Sequence, residues 1–151
     1  MNLLFMCVAN SARSQLAEGL ARAAFPEARV ESAGSHPGKL NPATVLVMKE
    51  VGIDISRQYS KSVADLDPAF IQSLDYVITL CAEEVCPVIL SDAKRLNWPL
   101  PDPASKDPLP ETELLQRFRV ARAAITQKLN DFSQELKESV KKNESPAKNS
   151  G

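Results

Sequence analysis

Residues 7–14 read Cys-Val-Ala-Asn-Ser-Ala-Arg-Ser and stand between two segments of different hydrophobic rhythm. Before them, Leu3, Leu4, Phe5 and Met6 form an unbroken apolar run, the pattern of a buried strand. After them, residues 15–25 place Leu16, Leu20, Ala23 and Ala24 on one helical face, and Pro26 ends the helix. A strand that passes through a tight loop into a helix N-terminus builds an oxyanion site, because loop N–H groups converge there and the helix dipole adds positive potential. Arg13 can clamp an oxyanion through two parallel hydrogen bonds, and the same field favours a thiolate at Cys7. The expected oxyanion-binding residues are therefore Val8, Ala9, Asn10, Ser11, Ala12, Arg13 and Ser14. The loop has no glycine, so Asn10 is the residue expected to take positive φ at the tightest bend. Ser11 or Ser14 could hydrogen-bond the thiolate or cap the helix. The competing reading is a buried structural cysteine beside a surface arginine.

The rest of the chain alternates strand and helix signals. Strands are expected at 3–6, 29–32, 76–80 and 96–99, and helices at 15–25, 42–51 with Gly52 as its C-cap, and 110–136, with Pro110 in its first turn and Glu111 and Glu113 complementing the dipole there, and a short turn opens at Asp67-Pro68. The last helix is marked by Leu114, Phe118, Ala121, Ile125, Leu129, Phe132 and Leu136, spaced by three and four. Such alternation implies an α/β fold: a single three-layer domain with a central four-stranded parallel sheet flanked by helices. The domain is expected over residues 1–136, with 137–151 a polar, disordered tail. With 151 residues, 44% hydrophobic and 25% charged, the chain suits one ordinary globular core. A net charge of −1 gives no pull toward nucleic acid or a membrane surface. No apolar stretch is long enough to span a bilayer and no leader precedes the first strand, so a cytoplasmic monomer is expected. Three cysteines argue against a structural disulfide framework. With one histidine and no Cys-x2-Cys, a metal site is not expected.

Five stretches, taken in order, carry a resemblance: CVANSARSQLAEG at 7–19, SAG at 32–34, NPATVLVMKEVGIDIS at 41–56, DYVITLCAEEVCPV at 75–88 and WPLPDP at 98–103. Over residues 1–132 the chain resembles the low-molecular-weight phosphotyrosine phosphatase superfamily, and within it the thioredoxin-coupled arsenate reductases. The resemblance implies that Cys7 is the nucleophile, Arg13 the clamp and Asp102, held between Pro101 and Pro103, the general acid. It also implies that Cys81 and Cys86 form the distal pair: Cys81 takes over from Cys7, Cys86 from Cys81, and thioredoxin reduces the last disulfide. No metal or organic cofactor is then required. Arsenate is the implied substrate, with phosphate or sulfate as competing oxyanions.

Only four residues separate Cys81 from Cys86, fewer than in the best-known relatives. In an unbroken helix residues five apart have Cα atoms roughly 8–9 Å apart, and a disulfide needs less than about 7 Å. Oxidation must therefore occur in a loop or unwind a helical turn. Asn10, Glu18 and Ser32 order the loop in relatives, some of which bind potassium there. In this chain the Lys61 ammonium could replace that cation and pair with Glu18, or Lys61 could be an ordinary surface lysine. His36 reads as a surface histidine, and Trp98 as a partly buried residue near Asp102. The runner-up reading is a phosphotyrosine protein phosphatase using Cys7, Arg13 and Asp102. The residues after Asp102 offer no aromatic to stack on a tyrosine ring, which weakens it. A third is a non-enzymatic oxyanion-binding or redox-sensing module, which would bind phosphate or arsenate without turnover.

Overall fold

The computed structural model describes residues 1–82, 89, 91–104 and 107–149, so Cys86 lies outside the described residues. Four strands, β1 (Asn2–Cys7), β2 (Arg29–Gly34), β3 (Tyr76–Thr79) and β4 (Lys94–Asn97), form one parallel sheet in the order β2-β1-β3-β4. Four α-helices connect or follow them: α1 (Arg13–Ala24), α2 (Pro42–Lys49), α3 (Pro68–Gln72) and α4 (Glu111–Asn149). Because strand side chains alternate, β1 feeds two cores. Leu3 and Phe5 pack with Leu16, Val47, Phe118, Ile125 and Phe132 of α1, α2 and α4. Leu4 and Met6 pack on the other face with Leu66, Phe70 and Leu74 around α3. The result is the expected three-layer α/β domain.

The sheet order explains where a site can form. From β1 the chain moves to β2 on one side, and from β2 it crosses to β3 on the other. The carboxyl end of β1 is thus a topological switch point, where an open parallel sheet leaves a crevice. Residues 7–14 lie there. Gly34, the last residue of β2, pairs with Cys7 and underlies the loop. A Cβ at Gly34 would come within 2.4 Å of the Val8 carbonyl oxygen, so the loop can rest on β2 only because this residue is glycine.

Two expectations change. Helix α4 continues to Asn149 instead of ending near 136, so the segment expected to be a disordered tail is helical to that residue. What stops near Phe132 is core burial: Phe132 is buried while Val140 is exposed. Loss of an apolar stripe is not loss of helix, because lysine and glutamate are good helix formers. The fourth strand lies at Lys94–Asn97, ahead of the expected 96–99, because it is a polar edge strand. No helix among the described residues is long and apolar enough to cross a membrane.

Candidate active site

The shape of the 7–14 loop follows from where its carbonyl groups go. Val8 O accepts the His36 N–H and Ala9 O the Gly38 N–H, both at 2.9 Å. Asn10 O accepts from Gln15 Nε2 at 3.0 Å and from Ser60 Oγ at 2.6 Å. Ser11 O accepts the Asn41 N–H at 3.0 Å and Thr44 Oγ1 at 3.2 Å. Ala12 O accepts the Leu16 N–H and opens α1. Five successive carbonyls are thus held by surrounding chain. In a trans peptide the N–H of the next residue points the opposite way, so the N–H groups of residues 9–13 converge on the inner side. Among the described residues, those of Ala9, Asn10, Ser11 and Ala12 have no protein acceptor. Asn10 makes the bend possible at φ 50°, the one positive φ outside glycine among the described residues.

The side chain of Asn10 then sets the polarity of the site. Its Oδ1 accepts the Lys61 N–H and Gln15 Nε2, each at 3.0 Å, which fixes the amide orientation. Its Nδ2 donates to Ser14 Oγ at 2.7 Å and to Ser32 Oγ at 2.9 Å. Ser14 Oγ lies 2.8 Å from Cys7 Sγ. Because that oxygen already accepts from Asn10, its single proton is left to point at the sulfur, the arrangement that suits a thiolate. Ser14 therefore serves Cys7 and does not cap the helix; α1 starts from Ala12 without a side-chain cap. Cys7, Ser14 and Asn10 are all buried.

Behind the loop lies an ionic cluster. Ser32 Oγ donates to Glu18 Oε1 at 2.7 Å. Glu18 also meets Lys61 Nζ at 3.5 Å and Arg22 at 3.3 Å, and Lys61 meets Glu31 at 3.6 Å. Lys61 is 5% exposed, so it is no surface lysine. Its ammonium also sits 5.0 Å from the centroid of the Tyr59 ring.

Arg13 ties the loop to the next two chain segments. Its Nη1 donates to Leu100 O at 2.9 Å and to Leu80 O at 3.4 Å. Leu80 immediately precedes Cys81, and Leu100 stands two residues before Asp102. Asp102 is exposed, and its Oδ1 accepts the Ala104 N–H at 3.0 Å, closing a turn over Pro103. Cys81 is buried and disulfide-bonded, whereas Cys7 is a free thiol. The structure thus gathers Cys7, Arg13, Ser14, Asn10, Ser32, Glu18 and Lys61 into one network and brings the segments of Cys81 and Asp102 against Arg13. His36 is exposed, yet its backbone N–H holds Val8. Trp98 is buried against Phe5 and Phe132. Gln15, Gly34, Gly38, Asn41, Thr44 and Ser60 act on the loop through their backbone or by reaching its carbonyls, and no residue chemistry advertised them.

The arrangement has known parallels. An arsenate reductase of Halalkalibacterium halodurans is 38% identical over 135 residues, 87% of this chain and 94% of that protein. An arsenate reductase solved in its phosphate-binding state superposes with a TM-score of 0.69 at 29% identity, covering 89% of this chain and 97% of that one. A thioredoxin-dependent arsenate reductase of Corynebacterium glutamicum gives a TM-score of 0.63 at 28% identity, covering 89% of this chain and 62% of that one. A sequence profile of the low molecular weight phosphotyrosine protein phosphatases matches residues 2–142, and the chain belongs to that family.

Proposed function

We propose that this protein reduces arsenate to arsenite, with Cys7 as the nucleophile, and that thioredoxin resets it. The inner N–H groups and Arg13 hold the oxyanion. The Cys7 thiolate attacks arsenic, and an As–O bond breaks as Asp102 protonates the departing oxygen. Cys81 then attacks the Cys7 sulfur. The Cys7–Cys81 bond forms, the S–As bond breaks, and its electron pair stays on arsenic, which leaves as arsenite. Cys86 displaces Cys7 from Cys81, and a thioredoxin dithiol reduces the resulting Cys81–Cys86 disulfide. Two electrons pass from protein thiols to arsenic, and two return from thioredoxin.

The observation that carries this reading is the oxidation pattern, in which Cys81 is held in a disulfide while Cys7 remains a free thiol. A hydrolytic phosphatase has no use for a distal disulfide, whereas the relay ends in this distribution. Asn10, Glu18, Ser32 and Lys61 support the loop, with the Lys61 ammonium serving as a tethered cation. Phosphate and sulfate compete for the same loop.

Arsenate-dependent NADPH oxidation with thioredoxin and thioredoxin reductase tests the relay. Turnover should vanish in Cys7→Ser, Cys81→Ser and Cys86→Ser alike. Aryl-phosphate hydrolysis that survives loss of Cys81 and Cys86, with no arsenate turnover in the wild type, would instead identify a phosphatase.

A further inference from the structure

We infer that Thr44 is a positioning residue for oxyanion capture. Its hydroxyl, together with the Asn41 N–H, orients the Ser11–Ala12 peptide so that the Ala12 N–H faces the bound oxyanion. The inference rests on the reading of residues 7–14 as the arsenate site.

Three observations carry it. First, Ser11 is the next residue after the left-handed Asn10, so its peptide has no regular structure to hold it. It is held from outside, by two donors on one carbonyl: the Asn41 N–H at 3.0 Å and Thr44 Oγ1 at 3.2 Å. Because the peptide unit is planar, a carbonyl fixed on one side fixes the Ala12 N–H on the other. Second, the Thr44 hydroxyl does not bond its own helix. A helical threonine commonly turns its hydroxyl to a carbonyl three or four residues back. Here the carbonyl three residues back, Asn41 O, takes the Thr44 N–H, and the hydroxyl reaches Ser11 across 33 residues of sequence. Thr44 has no exposed surface and lies on α2 beside buried Ala43, Val47 and Met48. Valine would fill that space without a polar group to satisfy, so the hydroxyl's place there is accounted for by the loop. Third, the brace is anchored. Asn41 Oδ1 caps α2 through the Ala43 N–H at 2.9 Å. At the other end Glu50 pairs with Arg119 and Arg122 of α4 at 2.7 and 2.8 Å. The donors on Ser11 are therefore fixed to the body of the domain.

Calorimetric titration of the reduced protein with inorganic phosphate, alongside arsenate kinetics, tests this. Thr44→Val should weaken phosphate binding about fivefold, the effect of one neutral hydrogen bond. KM for arsenate should rise by the same factor while kcat changes less than twofold, since the contact acts on bound oxyanion throughout the reaction. Thr44→Ser, which keeps the hydroxyl, should bind phosphate as the wild type does. Thr44→Ala, read in the same way, guards against misfolding of the valine variant. Wild-type phosphate affinity in the folded valine and alanine variants, or a serine variant as weak as valine, would overturn the inference. If Arg13→Lys, made with Thr44 intact, leaves phosphate binding unchanged, residues 7–14 are not the oxyanion site, and both readings fall together.

Discussion

Asn10 concentrates several requirements in one side chain. It must tolerate φ 50°, accept two hydrogen bonds and donate two, and among the residues that tolerate positive φ only an amide makes all four bonds. Its influence runs through Ser14 to Cys7 and through Ser32 to Glu18, where Lys61 closes the chain. Lys61→Met would leave buried Glu18 and half-buried Glu31 with less compensation. Removing one member of a buried ion pair costs about 3 kcal/mol at the low end, the end that applies because Arg22 remains beside Glu18. The variant should unfold at lower denaturant concentration by that amount, and arsenate turnover should fall with it. The wild type, carrying its own cation, should melt at the same temperature in potassium as in sodium. A large potassium-specific rise would show that the ammonium does not fill this role. At this scale the sequence was informative wherever chemistry sits in a side chain. The place of Cys7 and Arg13 between a strand and a helix and the positive φ of Asn10 were legible, and the Lys61–Glu18 pair was one of two readings of Lys61. The roles of Gly34, Gly38 and Thr44 were not, because they depend on which backbone carbonyl lies opposite, and that is decided by packing between distant segments.

Helix α2 is short, and its position matters more than its propensity. One end holds Ser11, and the other is capped by Glu50, which Arg119 grips through both Nε and Nη2 while Arg122 adds Nη1 and also reaches Val47 O. These guanidinium hydrogen bonds hold the Glu50 carboxyl well below its ordinary value of 4.5, at about 2. A carboxyl whose pKa is lower folded than unfolded stabilises the fold above the unfolded value, and the contribution is lost as pH falls toward the folded one. The stability difference between wild type and Glu50→Gln should therefore be constant at neutral pH. It should shrink between about pH 4.5 and 2, as read from urea midpoints across that range. A difference unchanged down to pH 2 would mean that the clamp works by shape and not by charge. None of this pairing was legible, since Glu50 and Arg119 are 69 residues apart and both look like ordinary surface charges. The elements themselves were legible where both faces are buried. β1 read clearly because Leu3, Leu4, Phe5 and Met6 all lack exposed surface. β4 was displaced by two residues because an edge strand beginning Lys94-Arg95 carries no apolar signal.

Across the whole molecule the design is asymmetric. Among the described residues, Cys7, Arg13, Cys81 and Asp102 all lie at or beyond the carboxyl ends of strands, and α4 runs along one face as the long element that packs against α1 and α2. The stripe from Phe118 to Phe132 buries itself against Phe5, Tyr76 and Trp98, and the Phe132 ring meets Phe25, Tyr76 and Trp98 at 5.0–5.9 Å. Periodicity located this stripe because burial and spacing coincide there. It missed the continuation to Asn149, because a helix leaving the body no longer needs an apolar face and its sequence resembles a tail. The two parts should separate on truncation. Ending the chain after Lys137 keeps Phe132 and the half-buried Leu136 while removing exposed Val140. Residues 138–142 are exposed, and losing solvent-facing groups changes stability by about 0.5 kcal/mol or less, which for a domain of this size is a shift of about 2 °C or less in Tm. Arsenate turnover should be unchanged. Ending the chain before Phe132 removes a buried aromatic that bridges Tyr76 of β3, Trp98 just after β4 and Phe25 just after α1, a loss of about 3–5 kcal/mol even for its side chain alone, and the shortened protein should melt far lower. Comparable losses from both truncations would mean that the outer turns of α4 carry contacts with the body and that the core does not end at Phe132.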